Sequence, residues 1–352
     1  NHYGGAPFYI KDGLGDGKLS SFIGCLFAIF CIVNSLTVGN IIQINASASA
    51  AYDTFGLNPL TVGIITAGVT LAVIIGGAQR ISTLTSRLIP AVSMIYIFMC
   101  VSVIIAYRGF FLDVIDEIFR SAFSFSAAVG GVGGYTVAEA VRFGVTRGIL
   151  TNEAGSGTSP TAHASSDAKT PHEQGLLGIF EVFADTIIIC SLTAFAVLCA
   201  GMAGLTMSAD PMLTASLTFS SVLGCTAPPI LVFVSDMFVL ATIISQHYYG
   251  EVAISYLTEK KTVKMAYTVI FLLTTVCGSV MSPAIIWNAA DITVGAMTSV
   301  NVICVFLMRR QVMEEFSSRE IVTRPHEIRK SAAFGEKSSC NGKKSVLKDR
   351  NI

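Results

Sequence analysis

Charged side chains are scarce in this chain of 352 residues, since Asp, Glu, Lys and Arg together make up 13% of it. A soluble globular domain carries about 25% of these residues, so the composition excludes an ordinary water-soluble protein. Apolar residues make up 52%, fall in long runs and give a mean hydropathy of +0.66. We therefore predict an all-α integral membrane protein embedded in a lipid bilayer. The net charge is zero, which gives no field that would attract nucleic acid.

Paired cysteines and clustered histidines are also missing. The nine cysteines stand singly, mostly inside apolar runs and without a CxxC pair, so we interpret them as small buried hydrophobes. The five histidines are not paired either, and a metal site built from them is not predicted. The chain begins at Asn1 without Met or a signal peptide, and its first residues resemble an interior loop. We expect a sequence that is incomplete at its amino terminus.

Long apolar runs occupy most of the chain. A membrane-spanning helix needs about 20 mostly apolar residues. The sequence offers about eight candidates, at residues 19–46, 60–77, 88–107, 122–145, 176–202, 229–248, 266–281 and 285–308.

These spans divide the chain into three parts. Residues 1–18 are predicted to be a cytoplasmic loop, residues 19–308 the transmembrane domain, and residues 309–352 a disordered tail of low apolar content. With the first loop inside, the inner loops carry ten Lys and Arg and the outer loops two, Arg108 and Arg120. This positive-inside pattern predicts a multi-pass protein whose carboxyl terminus lies in the cytoplasm.

Four glycines interrupt the fourth span, namely Gly130, Gly131, Gly133 and Gly134. Each interior Gly costs a helix about 1 kcal/mol relative to Ala, so the four favour an unwound segment by about 4 kcal/mol. Unwound backbone survives in a bilayer only where it is buried in protein or lines a wet cavity, and broken membrane helices mark binding sites. The alternative interpretation is close helix packing through a GxxxG pair.

Strongly polar side chains lie in the first span, where they are expensive and become functional candidates. At 100° per residue, Asn40, Gln43 and Ser47 share one face of an ideal helix, and Asn45 lies roughly opposite Gln43. For Asn45, hydrogen bonding to a neighbouring helix is an equally good interpretation.

Later spans contain acidic residues and a polar pair. Thr242 and Gln246 share a face at positions i and i+4. The loop TNEAGSGTSPTAHA holds Glu153 and His163, but it follows a helix rather than a strand and lacks a nucleophile elbow, so no enzyme is predicted. Each of four acidic residues is left as a structural partner, a proton carrier or a cation ligand: Glu181, Asp185, Asp236 and Asp291.

Several motifs are specific enough to indicate a family. They are GGAPFYIKDGLG at 4–15, GNIIQINASA at 39–48, AEAVRFGVTRGILTNEAGSGTSPTAHA at 138–164, FADT at 183–186, YYGE at 248–251 and the spaced set Trp287, Asp291, Met297 and Asn301. Together they resemble the alanine/glycine:cation symporter family, the sodium:alanine symporters, over residues 4–308.

The resemblance implies a leucine-transporter-type fold of five plus five helices in an inverted repeat. In that fold, core helices one and six are broken, and substrate and sodium bind between them at the midplane. Residues 122–145 then correspond to core helix six, the first span to core helix three and residues 229–248 to core helix eight. The first core helices have no counterpart in this chain.

The resemblance also implies site residues. Gln43 and Asn45 become substrate-site residues, and the carbonyl groups around Gly130, Gly131 and Gly133 receive the substrate ammonium. Thr242 matches a family hydroxyl near sodium and substrate. The chain departs from the family at Ala241, where a Thr is common, and at Gln246, where a Trp is common. We expect the second change to open and polarise the pocket, giving a substrate other than, or broader than, alanine.

The function implied by this resemblance is sodium-coupled symport of small neutral amino acids across the cell membrane by alternating access. The expected partners are a small amino acid, the coupling ion Na+ and the bilayer, with no organic cofactor. The alternatives are a proton-coupled amino-acid transporter and a truncated product that does not transport. A passive channel is disfavoured because no filter motif repeats.

Overall fold

The computed structural model describes residues 4–15, 17–123, 131–168, 170–208 and 210–314, and these are helical with short connections. The α-helices in chain order are α1 (Ala6–Gly13), α2 (Lys18–Leu36), α3 (Gln43–Phe55), α4 (Pro59–Ile75), α5 (Gly77–Ala106), α6 (Phe111–Phe123), α7 (Gly131–Asn152), α8 (Ser159–His163), α9 (Pro171–Val182), α10 (Cys190–Met202), α11 (Pro211–Leu223), α12 (Ala227–Leu257), α13 (Lys261–Gly278) and α14 (Pro283–Leu307).

Two of the long helices contain π-helical turns. The first, π1, spans Thr37–Ile42 and joins α2 to α3 without a loop, and the second, π2, spans Phe183–Ile189 and joins α9 to α10. A π turn accommodates an extra residue and therefore shifts the direction of the side chains that follow it, and such turns occur frequently at functional sites. Here they coincide with the GNIIQIN and FADT motifs.

Five segments of the described chain are long and apolar enough to cross a membrane, which makes this a multi-pass membrane protein. They correspond to five of the eight predicted spans, while α4 is a shorter apolar helix and residues 124–130 of the fourth span lie outside the described part of the chain. The number eight therefore stays a prediction. The five segments are Lys18–Phe55, Ser86–Ala106, Pro171–Met202, Pro211–Leu257 and Ala290–Leu307.

Residues 1–18, predicted to be a cytoplasmic loop, contain the helix α1, and their position on the cytoplasmic side stays a prediction. The first turn of α1 contains Pro7, and proline is favoured in the first turn of a helix. Ala6 and Ile10 are fully buried in the described structure, where α1 packs on α2. Burial of this apolar face outweighs the turn propensity of the neighbouring glycines.

The central feature of the fold is an antiparallel pairing between the continuous helix α2–π1–α3 and α12. Gly24 near one end lies against Tyr256, Gly39 in the middle lies against Gln246, and Ala50 near the other end belongs to a cluster with Val232. Glycine at these crossings lets the backbones approach closely, as is typical of membrane helix pairs.

The chain separates into two compact units, Asn1–Cys304 and Val305–Ile352, and the site described below lies in the first. Residues 305–314 continue as mostly helical chain, and residues 315–352 lie outside the described range, so the predicted disorder of the tail stays a prediction. Many large apolar side chains of the first unit are exposed, as expected for surfaces that face lipid.

Candidate functional site

By register, three of the predicted site residues, Gln43, Thr242 and Gln246, lie along the pairing of α2–π1–α3 with α12. Gly39 lies against Gln246, and the Ser47 hydroxyl donates to Asp236 Oδ1 at 2.7 Å, so the antiparallel register places Gln43 at the level of Thr242. Gln43 and Thr242 are both half-buried, and Thr242 precedes Gln246 by one turn on the same side of α12. The structure therefore forms a polar stretch near the middle of this helix pair.

Gln246 is the most deeply buried member of this stretch, with 3% of its surface exposed. Its Nε2 donates a hydrogen bond of 3.0 Å to Glu153 Oε1, while its own Oε1 is buried without a partner. A Cβ atom added to Gly39 would lie 2.6 Å from Cβ and Cδ of Gln246, so only glycine leaves room for this side chain. The sequence placed Gln246 in the site but gave no sign of its contact with Glu153.

Glu153 stands in the loop between α7 and α8, in a conformation that is uncommon for a residue with a Cβ. Its φ of 54° lies in the left-handed region. Thr158 donates to Glu153 Oε2 at 2.9 Å, and Ser156 donates to its backbone oxygen at 2.7 Å. Burial raises the pKa of the Glu153 carboxyl, and the hydrogen bond from Thr158 opposes that rise.

The same loop is anchored from two other sides. Asn301 on α14 donates to the carbonyl oxygen of Gly155 at 3.0 Å and accepts a hydrogen bond from Tyr9 of α1. Gly157 has a φ of 82°, and a Cβ there would lie 3.0 Å from both Phe27 and Asn301. The loop is thus an anchored structural turn that presents the Glu153 carboxylate to α12.

Asn45 points away from this stretch. Its Nδ2 donates to the carbonyl oxygens of Gly278 at 3.1 Å and Met281 at 2.7 Å at the end of α13, where carbonyl groups lack a partner in the next helical turn. These contacts agree with the alternative interpretation of Asn45, in which it forms hydrogen bonds to a neighbouring helix. A contact of Asn45 with substrate stays a prediction.

The expectation that Asn40, Gln43 and Ser47 share one face is wrong for two of them. Asn40 contacts α13, where it donates to the carbonyl oxygen of Phe271 at 2.8 Å and accepts from Thr275 at 2.9 Å, whereas Ser47 contacts α12. The ideal 100° step fails because Asn40 lies within π1, whose wider turn changes the angular spacing to the residues of α3.

The glycine-rich segment differs from the prediction in the part that is described. Gly131, Gly133 and Gly134 lie inside α7 and are helical rather than unwound, while Gly130 lies outside the described residues. In apolar surroundings no water competes for the backbone N–H and C=O groups. Helical hydrogen bonding is therefore strongly favoured there, which offsets the low helix propensity of glycine. Binding of substrate by these glycines stays a prediction.

The acidic residues of the later spans have different partners. Glu181 lies 3.3 Å from the ring of His163, and Asp291 accepts from Arg147 at 3.0 Å, so both have structural partners. The Arg147 guanidinium also stacks 4.0 Å above the ring of Trp287. Within the described residues, no group of three or more His, Cys, Asp or Glu is arranged for a metal ion. Binding of sodium by the Thr242 hydroxyl stays a prediction.

A multi-pass helical protein with a polar stretch between paired spans belongs to the class of membrane transporters. Residues 1–327 match the Sodium:alanine symporter family, and the chain belongs to that family, as its motifs predicted.

Named relatives agree with this assignment. The sodium/alanine symporter AgcS of Methanococcus maripaludis is 32% identical over 94% of this chain and 71% of its own length. The probable sodium/glutamine symporter GlnT of Bacillus subtilis is 32% identical over 99% of this chain and 69% of its own length. The amino-acid carrier protein AlsT of the same organism is 31% identical over 87% of this chain and 63% of its own length.

Proposed function

We propose that this chain performs sodium-coupled symport of small neutral amino acids across the cell membrane by alternating access. Family membership is the observation that carries the proposal, because relatives of this length and similarity are named as sodium symporters of amino acids. Coupling requires that sodium and substrate favour the same conformation, so that each ligand strengthens the binding of the other.

The five-plus-five leucine-transporter-type fold is part of the same proposal. Its support is the close antiparallel pairing of α2–π1–α3 with α12, the helices that the resemblance assigns to core positions three and eight. Gln43, Thr242 and Gln246 then line the substrate site, with the Thr242 hydroxyl as a candidate ligand of sodium. No organic cofactor is part of this mechanism.

The experiment is uptake by the protein expressed from its complete gene and reconstituted in vesicles. Radiolabelled alanine, glycine, serine and glutamine are supplied under an inward sodium gradient, with a choline gradient as control. We expect uptake above equilibrium for at least one of them with sodium only. Equal uptake with choline would contradict sodium coupling, and no uptake of any of them would contradict the substrate class.

The substitution Gln246→Trp tests how the pocket selects its substrate. We expect it to narrow the preference towards alanine and glycine, because an indole ring is bulkier than the amide and lacks its carbonyl group. The measurement compares uptake of alanine and glutamine in the two variants at equal expression. An unchanged ratio would show that Gln246 does not set the preference.

Proton coupling is the second candidate function, and the hydrogen bond between Ser47 and Asp236 is the observation that supports it. This carboxylate lies in α12 and accepts a hydrogen bond from Ser47, and one relative, YrbD of Bacillus subtilis, is named a putative sodium/proton-dependent alanine carrier. An imposed pH gradient without sodium distinguishes the two candidates. If the amino acid is then concentrated inside the vesicles, the coupling ion is the proton rather than sodium.

A further inference from the structure

The orientation of the Gln246 amide follows from its neighbour. An ionised carboxylate only accepts hydrogen bonds, so the Glu153 side chain fixes the NH2 group of Gln246 towards itself. The carbonyl oxygen Oε1 of the amide is thereby turned elsewhere, and it is buried without a partner. A buried acceptor without a donor is costly, and a bound ligand that donates a hydrogen bond there would remove this cost.

The geometry supplies both parts of such a site. Glu153 is held by the hydrogen bond from Thr158 and by the strained, anchored loop. Its carboxylate therefore stays in place when the Gln246 side chain moves. Gln246 lies on the same side of α12 as the half-buried Thr242 and across from Gly39 of π1. Oε1 is therefore an unpaired acceptor on a side chain of the polar stretch that we propose for the substrate.

We propose that Glu153 is a positioning residue, which orients the amide of Gln246 so that Oε1 accepts a hydrogen bond from the ammonium group of the bound amino acid. The inference rests on the proposed function and names the substrate group that Gln246 recognises. An ammonium group has three donors, so this contact is compatible with backbone carbonyl groups that take the other two.

The arrangement makes substrate affinity depend on pH. When Glu153 is protonated it becomes a donor, and the Gln246 amide turns its oxygen towards Glu153 instead of the substrate. Burial raises the pKa of Glu153, and Glu181 and Asp185 contribute to the rise. Affinity is highest above that pKa, where Glu153 is ionised, and falls as the pH drops through it.

Other groups also interact electrostatically with this carboxyl. They are the Cys31 thiol of α2 and the Tyr249 hydroxyl of α12. Both are neutral when protonated, so among the groups named here Glu181 and Asp185 are the charged influences on Glu153.

The decisive experiment measures KM for uptake of a preferred amino acid in a series of buffers of decreasing pH, in which Glu153 becomes protonated. In the wild type, KM rises as the pH falls. In Glu153→Gln, the new amide can both donate and accept, so it no longer selects one orientation of Gln246. We expect KM to rise about tenfold at high pH, in line with loss of a charge-assisted hydrogen bond, and its pH dependence to vanish.

Two further variants keep the test informative if Glu153→Gln folds poorly, which its elution and thermal unfolding in detergent would reveal. Thr158→Val removes the hydrogen bond that lowers the pKa of Glu153, so the rise in KM shifts to higher pH. Glu181→Gln is the matched control: this side chain is 65% exposed, so its loss shifts the profile only slightly, to lower pH, and leaves KM at high pH unchanged.

Unchanged pH profiles in folded Glu153→Gln and Thr158→Val, or a shift to lower pH in Thr158→Val, would overturn the inference. Such a result is distinguishable from failure of the proposed function, because in that case the wild type itself would show no sodium-driven uptake of amino acids.

Discussion

At Gly39, both the helix pairing and the site depend on the absence of a side chain, because a Cβ atom there would collide with Gln246. In Gly39→Ala the new methyl group would lie 2.6 Å from both Cβ and Cδ of Gln246, whereas carbon atoms normally stay about 3.5–4.0 Å apart. Because Cβ is fixed to the backbone of α12, rotation of the side chain alone does not relieve this contact. Either the helices separate or Gln246 gives up its hydrogen bond with Glu153.

We therefore expect Gly39→Ala to lower the free energy of unfolding by about 1–3 kcal/mol, the usual cost of overpacking, and to raise KM for the substrate. The first effect is measured by thermal unfolding in detergent and the second by uptake. The matched control is Gly68→Ala in α4, where nothing lies near the added methyl group. That variant should gain up to about 1 kcal/mol from helix propensity. A Gly39→Ala protein with wild-type unfolding temperature and KM would refute the packing argument.

Two other substitutions separate structural from functional polar groups. Asn45→Ala removes the hydrogen bonds from Asn45 to the carbonyl oxygens of Gly278 and Met281, so we expect a loss of about 1–3 kcal/mol of stability with KM unchanged; a raised KM at normal unfolding temperature would instead place Asn45 in the site. Arg147→Lys keeps the charge but loses the planar stack on Trp287, and we expect about 1 kcal/mol of destabilisation in the same unfolding assay. Equal stability of the two proteins would show that the stack contributes nothing.

The family and the helical membrane character could be predicted from sequence because both depend on local signals. Long apolar runs indicate spans, and the motif around Glu153 is specific enough to identify relatives. The Thr242 and Gln246 pair was also visible, since it depends only on helical spacing within one element.

The contacts across elements could not be predicted in the same way. Glu153 and Gln246 lie 93 positions apart, and nothing in either segment indicates the other. The partners of Asn40 and Ser47 were missed because an ideal helix was assumed, and π1 has no composition that distinguishes it from α-helix. The helical state of Gly131 and its neighbours was missed because propensity measured in water was applied where water is excluded.

The π1 turn at Thr37–Ile42 sets the angular position of all of α3. If the same residues wound as ordinary α-helix, everything after the turn would rotate by about 100°. The amide of Asn45 would then leave the end of α13 and the hydroxyl of Ser47 would leave Asp236, both in one step. A substitution that drove this segment into regular winding would therefore disconnect α3 from two neighbouring helices at once, although it removed none of the groups that make those contacts.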